Sequence, residues 1–223
     1  MNWWERPIWA LDLETTGVDP HTAEVVQFAV ARVTPSGRVL EQHSGVIRTE
    51  GWGEGAESVH GITRSESAIG MHRERMVDEI RAGLYRAFGN REPLVVFNAA
   101  YDLTILARYR AFPAAGTPAV LDPLVLDKQA HKYRRGSRKL GAVYAHYYGE
   151  VLNGAHDALA DAVAAARVAF ALAERHPTLQ RPAAELHDLQ VRWAGEQAAS
   201  LQAHFRKTNP AAVVDGSWPV GTP

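Results

Sequence analysis

The chain has 223 residues, 46% hydrophobic and 22% charged, a composition that suits one sizeable globular domain with or without an appendage. Its formal net charge of −1 excludes bulk charge as the means of holding a polyanion, so any nucleic-acid contact must come from a local basic patch. The absence of cysteine excludes disulfides and thiolate metal sites and fits a reducing cytoplasm. No apolar run reaches the ~20 residues that span a bilayer, and the N-terminus lacks a signal-peptide layout.

In chain order, Ile8-Trp9-Ala10-Leu11 reads as a buried strand that runs into Asp12-Leu13-Glu14-Thr15-Thr16-Gly17. Residues 24–33, rich in Val, Phe and Ala, predict a second strand. Pro35-Ser36-Gly37 makes a tight connection, and residues 38–49 predict a third strand. Short links between three strands imply an antiparallel meander. Gly51 to Gly55 is a Gly-rich loop. Met76, Val77, Ile80, Leu84 and Phe88 form one apolar face of a helix over about 71–88. Leu94-Val95-Val96-Phe97 is the short continuous run of a strand covered on both faces. Helical pattern returns over 102–109, a strand is predicted over 119–126, and helices over 140–148 and 158–174. A meander followed by alternating strands and helices is an α/β arrangement, a mixed sheet flanked by helices.

Three acidic segments carry the chemistry. Asp12 and Glu14 alternate on one strand and so share a face, where two carboxylates repel unless a cation lies between them. Mg²⁺ and Mn²⁺ prefer such hard oxygen ligands. Asn98-Ala99-Ala100-Tyr101-Asp102 follows the central strand, at the carboxyl end where open sheets carry ligand sites; on its own, Asp102 reads equally well as a helix-start residue. His156-Asp157-Ala158-Leu159-Ala160-Asp161 follows the loop signal Asn153-Gly154, with Asp157 fitting an N-cap. Asp12, Glu14, Asp102 and Asp161 together offer enough oxygen for two divalent cations, the usual arrangement for in-line attack on a phosphodiester.

These segments, Asp12-x-Glu14-Thr15-Thr16-Gly17, Asn98-x-x-Tyr101-Asp102 and His156-x-Ala158-x-x-Asp161, resemble the three motifs of the DEDD exonuclease superfamily, and the histidine marks the DEDDh subgroup. That group includes the epsilon proofreading subunit of bacterial DNA polymerase III, ribonuclease T and oligoribonuclease. The resemblance spans about residues 8–176, and Val59-His60-Gly61-Ile62-Thr63 and Lys139-Leu140 sit where similar short segments occur. It implies a ribonuclease-H-like fold. It further implies that Asp12, Glu14, Asp102 and Asp161 hold two Mg²⁺ or Mn²⁺ ions, with His156 as general base. The segment with Leu13, Thr15 and Thr16 would line the terminal nucleotide, with backbone groups and the Thr hydroxyls near its sugar. Asn98, able to fix its turn by hydrogen bonds, is a further substrate-binding candidate. The activity implied is 3′→5′ exonuclease action on single-stranded 3′ ends, chiefly DNA. RNA is the alternative substrate, and a binding module without activity is a more distant one.

Between Lys128 and Lys139 lie six Lys or Arg residues and no acid, which predicts a mobile basic loop with Arg134, Arg135 and Arg138 on phosphates. Asp122 and Asp127 read as turn or helix-start residues, and His131 and His146 as surface or packing residues. The expected division is residues 1–176 as the exonuclease domain and 177–223 as an appendage. Within the appendage, Leu186, Leu189, Trp193, Leu201 and Phe205 give one face of an amphipathic helix over 183–205, available to a replication partner or a second copy. A flexible tail follows. No membrane contact is expected.

Overall fold

The structure is a computed structural model that describes residues 2–53, 55–112 and 117–222. A five-stranded sheet has the order β3-β2-β1-β4-β5. Its strands are β1 (Ile8–Thr15), β2 (Val25–Val33), β3 (Val39–Val46), β4 (Leu94–Val96) and β5 (Val120–Leu121). β1 pairs antiparallel with β2 and parallel with β4, so its carboxyl end emerges in the middle of the sheet. This meander followed by parallel strands is the ribonuclease-H-like α/β fold.

Strand alternation assigns the two faces. Trp9 and Val30 point to the side of α3 (Arg73–Gly89), where Gly83 allows close approach: a Cβ there would lie 3.1 Å from Val30 and 3.3 Å from Trp9. Ala10, Asp12 and Glu14 point to the other side, with Ala29 and Ala31 beside them. That side is covered by the Ala-rich α7 (Ala158–Arg175), whose small side chains let the helix lie close to the strands. α3 buries Met76, Ile80, Leu84 and Ala87, so its apolar stripe turns away from Phe88, which is exposed.

Two short helices, α1 (Ala56–His60) and α2 (Arg64–Ala68), precede α3, and the loop before them is tied to the site by the Gly53 N–H donating to the Thr16 carbonyl at 2.9 Å. Within the expected Gly51–Gly55 loop, Glu54 lies outside the described residues. α4 (Ala99–Arg108) follows β4. The strand expected over 119–126 is cut to two residues, because Asp122 caps and Pro123 opens α5 (Pro123–Ala130). α6 (Leu140–Tyr148) packs on α7.

α8 (Ala183–Phe205) packs on β5 and α5. Leu186 and Trp193 are buried as the stripe predicts, but Leu201 and Phe205 are 42% and 45% exposed. The helix runs unbroken through Gly195, and Gly216 of the following segment lies close against it, where a Cβ on Gly216 would sit 3.2 Å from Gly195 Cα. The tail is not the free, flexible extension its composition suggests. It folds back, buries Trp218, and donates the Gly221 N–H to Thr104 Oγ1 in α4 at 2.7 Å. No described helix is long and apolar enough to cross a membrane.

Candidate active site

A cleft of about 850 Å³ opens at the carboxyl end of β1 and β4, and Asp12, Glu14, Asp102, His156 and Asp161 all line it. Each arrives on a different local device. Asp12 and Glu14 ride the central strand. Asp102 is carried by α4, whose start is set by Asn98 in a left-handed conformation (φ 64°) held by the Asp122 carboxylate. Asp161 lies in the first turn of α7, capped by Asp157, which accepts the N–H groups of Leu159 and Ala160. Gln27, opposite Glu14 in the β-register, donates to Asp157 at 3.0 Å and accepts the Ala158 N–H at 3.1 Å. It thereby ties the start of α7 to the strand bearing Glu14. His156 sits on an exposed turn in a left-handed conformation (φ 68°), with its N–H donated to Asp161 Oδ2 at 3.1 Å.

The electrostatics are those of crowded anions. Withdrawal from water, then the charges of Asp102, Asp161 and Glu14, hold the Asp12 carboxyl well above the usual range. Burial, then Asp161 and Asp157, pushes Glu14 up to about 7. Burial raises Asp102 and Asp161 as well. Glu14, His156 and Asp161 each offer a ligand atom, all within 4.8 Å of one another, and Asp161 Oδ1 is buried without a hydrogen-bond partner. A buried, unpaired oxygen among raised carboxyls fits a divalent cation, which would supply the missing positive charge.

The expected nucleotide-contacting residues divide. Leu13, Thr15, Thr16 and Asn98 line the cleft. Both threonine hydroxyls are already engaged: Thr15 Oγ1 with the Gly17 carbonyl at 3.0 Å and with Tyr101 Oη at 2.6 Å, and Thr16 Oγ1 with the Glu24 N–H at 3.0 Å. Tyr101 also donates to the Gly17 carbonyl, clamping that turn.

The basic run is not a free phosphate-binding loop throughout. Arg134 turns inward to Asp127 at 2.9 Å, and Arg138 pairs with the same carboxylate while still lining the cleft. The physical reason is Asp127 itself, 0% exposed, whose charge cannot be buried without cations. It lies within α5 and pairs with arginines instead of capping a turn, and Tyr147 Oη donates to it at 3.2 Å. Arg135 is exposed and is not among the residues lining the cleft.

His60 completes the wall opposite. Its Nδ1 accepts the Ile62 N–H at 3.0 Å, so in the neutral ring the proton sits on Nε2, which is buried without a partner. Burial, with a smaller contribution from His156, lowers its pKa. The sequence signal for it was its place in Val59-His60-Gly61-Ile62-Thr63. Gln27 gave no signal, since a lone Gln in a strand is unremarkable until its partners are known.

Residues 9–169 match the family RNase_T, described as exonuclease. No curated protein matches the chain in sequence. Among solved structures, the zinc-bound complex of Escherichia coli exonuclease I with single-stranded DNA is similar over 78% of this chain and 42% of its own, at 22% identity and a TM-score of 0.62. Exonuclease I of Methylocaldum szegediense is similar over the same shares at 24% identity and a TM-score of 0.58. A 3′-exonuclease that recognises the histone mRNA stem-loop is similar over 77% of this chain and 83% of its own, at 16% identity and a TM-score of 0.60. These similarities establish a common fold, and the chain spans 42% of the length of the exonuclease I chains.

Proposed function

Because the chain belongs to the RNase_T family of exonucleases, we propose that it is a divalent-metal-dependent 3′→5′ exonuclease of DEDDh type, releasing nucleotides from the 3′ end of single-stranded DNA in the cytoplasm. The observation that carries this reading is the convergence of Asp12, Glu14, Asp102, His156 and Asp161 on one cleft. Asp12, Glu14, Asp102 and Asp161 would hold two Mg²⁺ or Mn²⁺ ions. Bound there, the ions would supply Lewis-acid polarisation of the phosphodiester and stabilise the negative charge that develops on it. His156, on a turn at the cleft mouth, accepts the proton of the attacking water. Its backbone bond to Asp161 keeps the ring beside the acids.

Leu13 to Thr16 form the floor under the terminal nucleotide. The Thr15 hydroxyl donates internally, whereas the Thr16 hydroxyl only accepts the Glu24 N–H, so the Thr16 O–H and backbone groups are left to meet the sugar. His60 lines the cleft with its Nε2–H buried and unpaired, so a small shift of the ring on substrate entry would let it donate to the nucleotide. Arg138 and Lys139 line the path of the strand, and Arg135 meets it farther out.

A second reading, RNA as substrate, is favoured by one observation. One neighbour matched over most of its own length is a 3′-exonuclease that recognises the histone mRNA stem-loop. A module that binds without cleaving is disfavoured, since all four acids and His156 are in place. A replication partner or second copy docking on α8 would find Val191 and, at its far end, Leu201 and Phe205 exposed.

The test is degradation of 5′-labelled single-stranded DNA and RNA, side by side, with Mg²⁺, Mn²⁺ or chelator. A metal-dependent ladder shortening from the 3′ end is expected, strongest on DNA. Immediate release of the labelled nucleotide would reverse the direction, and intact substrate in every arm would overturn the reading.

A further inference from the structure

The family match ends at residue 169, and the segment beyond it reaches the site through one carboxylate. Asp122 is 2% exposed and lies behind the cleft. Its Oδ1 accepts the N–H groups of Asn98 and Leu124, and its Oδ2 that of Ala99, each at 2.9 Å. Asn98 is left-handed, a conformation uncommon outside glycine and adopted more readily by Asn than by most residues. Asp122 holds that turn by accepting the N–H groups of Asn98 and Ala99, and α4 starts from it with Asp102 in its first turn.

On its other side Asp122 is held by the C-terminal segment. The Trp218 indole N–H donates to Oδ2 at 3.4 Å. The Asp122 backbone N–H donates to Gln190 Oε1 at 2.7 Å, and Gln190 Nε2 donates to the Val120 carbonyl at 3.1 Å. The Trp218 ring lies 5.0 Å from that of His187, whose Nδ1 accepts the Val120 N–H at 3.0 Å. Between Leu186 and Trp193 the buried face carries Gln190 beside Leu189; Gln190 is 0% exposed, and a buried amide is tolerated only with its partners in place. Those partners flank Asp122. The Gly221–Thr104 bond ties the same segment to α4 two residues past Asp102.

Resting on the reading of Asp102 as a metal ligand, we propose that Gln190 and Trp218 are positioning residues acting through Asp122 on the turn that places Asp102. The cation affinity of the site is then set in part by a segment outside the exonuclease match. Groups behind a ligand commonly change metal affinity by about 10- to 100-fold when altered.

Mn²⁺ binding to the whole protein, read from free Mn²⁺ by electron paramagnetic resonance, tests this, with Tm measured alongside. Asp122→Asn should weaken binding by about tenfold. Trp218→Phe and Gln190→Leu should each weaken it by roughly threefold, the scale of one hydrogen bond. Asp122→Asn combined with Trp218→Phe should bind no worse than Asp122→Asn alone, because one acts through the other. Leu84→Ala, in α3, should lower Tm and leave Mn²⁺ binding unchanged. If Asp102→Asn binds Mn²⁺ like the wild type, the ligand reading itself falls. If Asp102→Asn loses the ion while the Asp122, Gln190 and Trp218 variants bind like the wild type, the positioning role is overturned. Additive losses in the double variant overturn it too, as does weakening that merely tracks Tm across all variants, Leu84→Ala included.

Discussion

At the head of the cleft, Asp12, Glu14, Asp102 and Asp161 face one another, and among the described residues none of them forms an ion pair. At the far end of α5, Asp127 is buried at least as deeply, but Arg134 and Arg138 close on it and Tyr147 donates to it. Burial pushes both sets of carboxyls upward. In the cleft the neighbouring acids add to it, backbone hydrogen bonds and His156 only partly offset it at Asp102 and Asp161, and Glu14 reaches about 7, whereas the two guanidiniums outweigh it and hold Asp127 below the usual range. The same side chain is thus a stabilising anchor in one place and an unsettled charge in the other. The fold satisfies anions where it needs rigidity and leaves them uncompensated where a cation is to bind.

Neutralising one member of each set should separate the two roles. Asp102→Asn should lower the rate of degradation by at least about 10³-fold, several kcal/mol of forfeited metal stabilisation. It should leave the chelator-treated protein no less stable, because a like charge has been removed. His156→Ala should lower the rate at saturating substrate by about 10²–10⁴-fold with Mn²⁺ binding intact. Near-wild-type activity in that variant would make His156 a simple loop residue.

Asp127→Asn should do the reverse. Leaving two guanidiniums without their anion should cost about 3–5 kcal/mol in urea unfolding. Activity per folded molecule should change only a few-fold. A loss matching that of Asp102→Asn would erase the distinction between the two clusters.

The pH dependence of stability should have opposite signs at the two places. Glu14 has a folded value of about 7 against an ordinary 4.5, so between those values the folded metal-free protein keeps a proton that the unfolded chain has released. Its contribution is present at low pH and lost as pH rises through about 7, on the order of 3 kcal/mol. Asp127 is lowered, so its contribution is present at neutral pH and lost on acidification through its folded value. Melting in chelator from pH 5 to 8 should therefore show a fall that Glu14→Gln reduces and Mg²⁺ offsets. A flat wild-type profile would show that Glu14 is not held protonated.

The smallest effect belongs to the exposed part of the basic run. Arg135→Ala with Lys132→Ala should reduce the salt dependence of single-strand binding, by roughly 0.7 in log–log slope for each phosphate no longer neutralised. An unchanged slope would leave those residues as solvated surface. Arg134 is unsuited to this test, since removing it would also unpair Asp127.

The acids were legible because the alternation of Asp12 and Glu14 on a strand, and the starts of two helices at Asp102 and Asp161, are local features. α8 was legible for the same reason, and its observed bounds, Ala183–Phe205, are those its apolar stripe defines. What sequence reasoning missed depends on distant partners. Arg134 looks like part of a phosphate-binding run until Asp127 is seen to be buried beside it. Gln27, Gln190 and Trp218 acquire meaning only from Asp157, Val120 and Asp122, which lie far from them in the chain. Pro123 did carry a local signal, a proline after a capping Asp, and it outweighed the apolar run that suggested a longer strand.

The outer edge of β5 has a further consequence, for synthesis. Its N–H and carbonyl at Val120 are satisfied by His187 and Gln190, and Gln190 follows Val120 by 70 residues. At the pace of translation those residues take roughly 4 to 14 s to make. Through that interval the nascent sheet carries an unpaired edge, open to a chaperone or to another chain. Closing that edge and holding the Asp122 backbone are accomplished by the same helix, through Gln190, before Trp218 reaches the Asp122 carboxylate.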